Sequence, residues 1–397
     1  MNEDLYNRYL EKKAKKLGIS VEELKAQNAT PLASNTSTSQ QNPTTQPPIS
    51  NASTNQTLQN QENNTTNVQY SFSPSSNIEK KEVPSHVFTT QKPVETLHYE
   101  QQVSNTYTND KVEIKDTREK KFAIVGYPLG HSLSPVIHSA GFKSLGIDAT
   151  YKILETPPEN LVDTIKYLKT ENFSGFNVTI PHKLPVSLFV DEVDNYADIA
   201  RAVNTVSIEA DKSLKAFNTD VIGFKRAIPN DIDLKNKKIA MLGLGGAAHA
   251  GVLALAECGV KEISFFVRNI PNSIDAVNYF RAKLPNITFN LYQIENIRDL
   301  GEYSMLVNTT PLGMLGKGSD LSPIDLKAMQ TLQKDAVVYE IIYNPKKTVL
   351  IKMAEKLGLR TITGLDMFIY QAVAAQEIWF GRTPDFKDMK IAALEEL

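Results

Sequence analysis

"KIAMLGLGGAAHAGVLALAECG", residues 238–259, decides the fold. The apolar run Ile239–Leu242 has the length of a buried strand. The turn after it carries Gly243, Gly245 and Gly246, and the apolar stretch beyond has the length of a helix. Glycines there allow a tight turn and let backbone N–H groups approach a pyrophosphate at the helix N-terminus. The pattern is G-x-G-G rather than G-x-G-x-x-G, so by itself it also suits an ordinary strand-to-helix connection. The next run, "EISFFV" (262–267), completes a βαβ unit and ends in Arg268 and Asn269, with no acid. An acid at that place would bind the 2′-hydroxyl of NAD, whereas Arg suits the 2′-phosphate of NADP. The plainer reading of Arg268 is a solvated strand end.

Outward from this unit, "ITFNLY", "SMLVNTT" and "AVVYEII" continue the series of strands, each separated by helical stretches. On the N-terminal side, "KFAIVG", "TYKIL", "GFNVTI" and "NTVSI" form an earlier alternating series that starts at Lys120. Strands alternating with helices predict an α/β protein with parallel sheets. The chain has 397 residues, 41% of them hydrophobic, enough for two domains and additional material. A net charge of −2 gives no electrostatic case for nucleic acid or an anionic membrane as partner. The single cysteine, Cys258, excludes an intramolecular disulfide and a multi-cysteine zinc site. No apolar run approaches the roughly 18 residues of a spanning helix. The opening "MNEDLYNRYLEKK" has no apolar core of a signal peptide, so a cytoplasmic location is expected.

The first 119 residues read differently. Between Lys25 and Glu79 the only charged residue is Glu62, and Asn, Thr, Ser, Gln and Pro dominate. Such a stretch cannot bury enough apolar surface to offset its ordering entropy, so residues 28–119 are expected to be a disordered linker. Ahead of it Leu5, Tyr6, Tyr9, Leu10, Ala14 and Leu17 recur at helical spacing. Gly18 stops that helix, and Ser20 with Glu23 forms a capping box for a second. Residues 1–27 thus predict a short helical hairpin, which suits a docking module for an unknown protein partner as well as it suits a weakly folded tail.

Polar residues gather at the predicted strand ends. "FAIVGYPLGHSLSPVIHSAGF" (122–142) is a strand, a turn, two serines at 132 and 134, and a helix start at Pro135. "GFNVTIPHK" places Thr179 and Lys183 after a strand; "RAVNTVSI" gives Asn204, and "AFNTDV" gives Asp220. Singly, a loop Lys is usually solvated and an Asn-Thr-Asp stretch usually caps a helix. Together they supply a cation, a carboxylate and several neutral hydrogen-bonding groups where α/β proteins bind ligands. A hydride delivered to a ketone leaves oxyanion character that needs a proton donor, and an ammonium paired with a carboxylate suits that role.

From Lys120 to Leu397 the sequence resembles the NADP-dependent shikimate dehydrogenase family. The likeness is carried by "GYPLGHSLSPVIH", "NVTIPHK", "AVNT…NTD", "GLGGAA", "NTTPLGM" and the C-terminal "YNPKKTVLIKMAEKLG…GLDMFIYQA". It implies an N-terminal α/β substrate-binding domain over 120–222, completed by C-terminal helices over 365–397, and a Rossmann-type NADP-binding domain over 223–364. It implies a reversible, NADPH-linked reduction of 3-dehydroshikimate to shikimate in aromatic amino-acid biosynthesis. Lys183 and Asp220 match the catalytic pair. Ser132 and Ser134 match ligands of the shikimate carboxylate, with Tyr343 near it; Thr179, Asn204 and Gln371 match positions that bind ring hydroxyls. Gly243, Gly245, Gly246 and Ala247 fall on the dinucleotide loop, Arg268 on the 2′-phosphate contact, and Ile341 and Gly364 beside the nicotinamide. No metal is implied, and a homodimer is left open.

Five positions depart from the family pattern: Val221 replaces the Gly after the Asp, Val267 an Asn, Asn272 a frequent basic residue, His249 an Arg, and Glu340 an Asp. They bear on cofactor preference more than on the catalytic pair. His131, His138 and His182 lack the spacing of a metal set and are read as local hydrogen-bonding groups, Cys258 as a core residue, and Trp379 and Phe380 as packing a C-terminal helix onto the first domain. Two rival functions stand beside this reading: a quinate/shikimate dehydrogenase using NAD, and an interaction protein acting through the N-terminal hairpin.

Overall fold

A computed structural model describes residues 20–22, 120–130 and 132–397. The expected hairpin, apart from residues 20–22, the expected linker over 28–119 and His131 all lie outside the described residues.

The first sheet is built from β1 (Lys120–Gly126), β2 (Ala149–Glu155), β3 (Gly175–Val178), β4 (Glu192–Val193), β5 (Thr205–Ile208) and β6 (Leu214–Phe217), in the order β2-β1-β3-β5-β6-β4. Its helices are α1 (Ser134–Leu145), α2 (Leu161–Thr170), α3 (Asn195–Ala200) and α4 (Thr219–Arg226). Phe122, Ala123, Ile124 and Val125 of β1 are all buried, because this strand is covered on both faces. Pro135 opens α1, and Gly146, at φ 65°, closes it by returning its N–H to the carbonyls of Lys143 and Phe142.

The alternation of strands and helices predicts parallel pairing throughout, and the first sheet departs from it. β5 runs antiparallel to both β3 and β6. The reason is local: residues 209–213 form a tight turn, with Lys212 at φ 69° and the Asp211 carboxylate accepting the Ser213 N–H at 2.9 Å. A connection this short cannot carry a parallel crossover.

The second sheet is parallel throughout: β7 (Lys238–Leu242), β8 (Glu262–Val267), β9 (Thr288–Gln293), β10 (Met305–Asn308), β11 (Val337–Glu340) and β12 (Arg360–Ile362). Their order is β12-β11-β10-β7-β8-β9, so the winding reverses between β7 and β10 and opens a crevice there. Helices α5 (Gly246–Glu257), α6 (Ile274–Lys283), α7 (Leu326–Met329) and α8 (Val349–Lys356) connect these strands. Cys258, read as a core residue, is the C-terminal cap of α5 and is half-buried against the adjoining core.

The last two helices, α9 (Gly364–Phe380) and α10 (Phe386–Glu396), return to the first sheet. Trp379 stacks on Phe122 at 4.4 Å and donates its Nε1–H to the Val206 carbonyl at 3.1 Å. Phe380 meets Phe122 edge-on at 5.3 Å. Among the described residues no helix is long and apolar enough to cross a membrane.

Helix α9 also crosses α4, and the crossing depends on Gly223. A Cβ at that position would lie 2.7 Å from the Met367 carbonyl oxygen and 2.9 Å from the Gln371 nitrogen. Backbone atoms cannot swing aside, so Gly223→Ala is expected to cost about 1–3 kcal/mol of stability, read from the urea midpoint. An unchanged midpoint would show that the two helices separate without cost.

Candidate active site

The segment after β3 is fastened on both sides. The Thr179 N–H donates to the Val125 carbonyl and the Tyr127 N–H to the Ile180 carbonyl, both at 2.9 Å. The buried His182 ring bonds the Thr156 carbonyl at 2.5 Å, and the Lys183 carbonyl accepts the Val203 N–H at 2.7 Å. These anchors fix the backbone that carries Lys183.

The antiparallel course of β5 now matters. It puts the start of β5, preceded by Asn204, at the same sheet edge as the ends of β3 and β6. At the end of β6 Asn218 caps α4, its side chain accepting the Asp220 N–H at 3.1 Å. Three side chains therefore meet. Lys183 Nζ donates to Asp220 Oδ2 at 2.5 Å, and Asn204 Nδ2 donates to Asp220 Oδ1 at 2.8 Å. Asn204 Oδ1 accepts the Thr219 N–H at 2.7 Å and the Thr219 and Thr205 hydroxyls at 3.1 Å, which fixes the amide's orientation. The Lys183 and Asp220 side chains are 24% and 13% exposed, open enough to meet a ligand but shielded from bulk water. Val221, which replaces a glycine of the family pattern, is buried in the core and leaves Asp220 in contact with Lys183.

A buried polar line joins this pair to the start of α1. The Ser134 N–H donates to Ser132 Oγ at 3.3 Å, and Ser134 hydrogen-bonds the Tyr151 side chain. Burial holds the Tyr151 hydroxyl protonated well above its ordinary range. That hydroxyl donates to Asn177 Oδ1 at 2.6 Å, and Asn177 Nδ2 donates to the Asn204 carbonyl at 3.2 Å and to Thr205 Oγ1 at 3.0 Å. The sequence reading did not single out Tyr151 or Asn177. Their signal was faint: one amide in the otherwise apolar strand "GFNV", which must find partners when buried. His138, fully buried against Tyr151 at 4.3 Å, is held neutral, its pKa lowered to about 3 by desolvation. Its Nδ1 meets Gln376 Nε2 at 3.2 Å.

The predicted C-terminal residues converge on α9. Tyr343 stacks on Phe368 at 4.3 Å, and Gln371, whose Nε2 donates to the Phe368 carbonyl at 2.9 Å, lies against α4 at Gly223. Gly364 packs directly on Ile341: a Cβ there would lie 2.1 Å from the Ile341 oxygen.

On the second sheet, Gly243 takes φ 90° and its N–H donates to the Phe266 carbonyl at 2.8 Å, tying the turn to β8. Gly245 and Gly246 are exposed, and a Cβ on either would meet nothing within 4 Å. No side chain caps the start of α5, and half-buried Ala247 sits in its first turn. Arg268 stands exposed two residues beyond Phe266 and forms no ion pair with a described residue. An open, uncapped helix start near an unpaired cation fits a phosphate-bearing dinucleotide. Asn272 offers no charge; its N–H closes a turn onto Asn269 Oδ1 at 3.0 Å. His249 turns away to the other lobe, where Nδ1 bonds the Ala200 carbonyl at 2.9 Å, and burial lowers its pKa. The pair Lys183–Asp220 and the glycine turn belong to different sheets. No group of three or more His, Cys, Asp or Glu among the described residues is placed to hold a metal.

Asn204 links Asp220 to the first residue of α4. Asn204→Ala leaves the Thr219 N–H and one Asp220 oxygen without their partner and is expected to lower stability by about 1–3 kcal/mol in urea unfolding. Wild-type stability would show that water replaces the amide at both places.

Two family models match the chain: the shikimate dehydrogenase substrate binding domain over residues 124–206, and the shikimate 5'-dehydrogenase C-terminal domain over residues 364–394. The NADP(+) shikimate dehydrogenase of Methanococcus maripaludis is 38% identical over 278 residues, which cover 70% of this chain and 97% of that protein. A solved structure of a shikimate dehydrogenase in complex with NADP+ is similar at TM-score 0.65 and 35% identity, over 70% of this chain and 96% of that one. A quinate dehydrogenase from Corynebacterium glutamicum in complex with NAD is similar at TM-score 0.65 and 28% identity, over 70% and 99%. On these matches and this fold, the chain belongs to the shikimate dehydrogenase family.

Proposed function

We propose that this chain is an NADP-dependent shikimate dehydrogenase, which reversibly reduces 3-dehydroshikimate to shikimate. The observation that carries the reading is the Lys183–Asp220 pair, held by Asn204 at an open sheet edge. NADPH, when bound, supplies the hydride to the ketone carbon. The Lys183 ammonium hydrogen-bonds the ketone oxygen and passes it a proton as negative charge develops; in the reverse direction the amine takes the hydroxyl proton. Asp220 keeps that ammonium in place, and solvent restores the proton after each turnover.

Ser132 and Ser134, with Tyr343, are assigned to the substrate carboxylate, and Thr179 and Gln371 to ring hydroxyls. Asn204 gives one N–H to Asp220 and keeps the other for a hydroxyl. Such a site rejects analogues lacking a hydroxyl, since its own polar groups would be left unpaired. Gly243, Gly245, Gly246 and Ala247 would receive the pyrophosphate, Arg268 the 2′-phosphate, and Ile341 and Gly364 would border the nicotinamide. In this reading 120–222 with 365–397 is the substrate-binding part, 223–364 is the cofactor-binding part, and the enzyme works in the cytoplasm.

Assays of shikimate and quinate, each with NADP and with NAD, are expected to give the highest kcat/KM for shikimate with NADP. A charge-assisted contact to the 2′-phosphate is worth roughly 1.5–3 kcal/mol, about 10- to 150-fold in affinity. With Asn272 neutral and turned onto Asn269, the lower half of that range is expected. Arg268→Ala should raise the KM for NADP and barely change that for NAD. Equal efficiency of the two cofactors with the wild type would overturn the NADP assignment, and faster quinate turnover would overturn the substrate.

A further inference from the structure

The mechanism leaves one buried carboxylate unused. Glu340, the last residue of β11, is 0% exposed. Its Oε1 accepts the Ile342 N–H, its Oε2 accepts the Thr348 hydroxyl, and Asn308 Nδ2 reaches both oxygens, all at 3.0 Å. Each partner serves a different segment. Asn308 Oδ1 accepts the Thr310 N–H at 3.0 Å and hydroxyl at 2.7 Å, and the Thr310 methyl lies 2.9 Å from where a Cβ on Gly243 would fall. Thr348 caps α8, accepting the Ile351 N–H at 3.3 Å. Ile342 lies between Ile341, against Gly364, and Tyr343, against Phe368.

We propose that Glu340 is a positioning residue whose buried carboxyl group ties the β10 exit, the β11 exit and the start of α8 together, and so shapes both ligand sites. The proposal rests on the assignment of Ile341 and Tyr343 to those sites. The groups that hydrogen-bond the carboxyl are neutral donors: Asn308 from β10, the Thr348 hydroxyl at the cap of α8, and the Ile342 and Ile341 amides. Tyr339, on the opposite face of β11, points to the Phe224 carbonyl. Lys346 and Lys347 are exposed and engaged with the Leu394 carbonyl and Glu355. The neutral donors offset only part of the cost of burying the anion, and burial raises the Glu340 pKa to about 7. The closed junction therefore holds its proton more tightly than a solvated carboxyl group does, so closure is favoured below that pH and weakens as pH rises through it.

The test compares full-length wild type, Glu340→Gln and Glu340→Asp between pH 6 and 8, by calorimetry with NADP+ and by amide exchange of the segment 341–348, corrected for intrinsic chemistry. The 2′-phosphate titrates in the same range, so the difference between variants is the calorimetric readout. Wild-type exchange of the segment 341–348 should quicken above pH 7, as the buried carboxyl group ionises. Glu340→Gln, which cannot ionise, should lose that step, and Glu340→Asp should keep it. Relative to Glu340→Gln, the wild type is expected to lose NADP+ affinity from pH 6 to pH 8, by up to about 10-fold for the one pH unit above its pKa. Constant wild-type protection across the range, or a wild-type affinity that does not fall relative to Glu340→Gln, would overturn the proposal. If the Gln variant does not fold, the wild-type exchange profile decides the matter. Inactivity of the wild type on shikimate would instead strike the functional reading, without altering the exchange result.

Discussion

The contact between the Lys183 ammonium and the Asp220 carboxylate is the constraint around which the first sheet is arranged. A partly buried ion pair gains little unless its remaining lone pairs and hydrogens are also satisfied. Here the second carboxylate oxygen is held by Asn204, which is held in turn by Thr219 and Thr205. The antiparallel strand β5 exists in this account to bring Asn204 to the edge where β3 and β6 end. Had β5 run parallel, its first residue would lie at the far end of the sheet, and the pair would lack its third member.

The two sheets are joined by close approaches that only glycine permits. Gly223 lets α4, which carries Asp220, lie against α9, which carries Gln371. Gly364 lets the start of the same helix rest on the Ile341 backbone at the crevice of the second sheet. One helix thereby packs against both the segment that carries Asp220 and the segment that carries Ile341. In the proposed function this common contact would hold substrate and cofactor groups in register, where small misplacements are costly in rate. His249 adds a tie of another kind, from α5 to the end of α3.

Much of this was legible in the sequence, for physical reasons. The strand–glycine turn–helix of 238–259 can bury its apolar residues in few ways, and the structure has the doubly wound order that such a unit implies. Lys183, Asn204 and Asp220 stood out because together they bring a cation, a carboxylate and an amide to strand ends, where α/β proteins bind ligands. The reversal of β5 was not read, since it depends on the turn at Asp211–Ser213, whose chemistry is local and short. Tyr151 and Asn177 were missed because their bond to each other, and that from Asn177 to Asn204, span 26 and 27 residues, a distance that periodicity cannot bridge. His249 and Glu340 registered only as departures from a pattern. Their work, a carbonyl on α3 and a junction of three segments, is visible only in three dimensions.

The central claim is that Lys183 and Asp220 act as one unit in proton transfer, and a double-mutant cycle on kcat tests it most directly. Lys183→Ala and Asp220→Asn should each lower kcat, Lys183→Ala by about two orders of magnitude or more. The double variant should be little worse than the poorer single one, because either change removes the same function. Far-UV circular dichroism should match the wild type in all three. Losses that multiply in the double variant, or near-normal turnover of Lys183→Ala, would contradict the account and place the proton donor elsewhere.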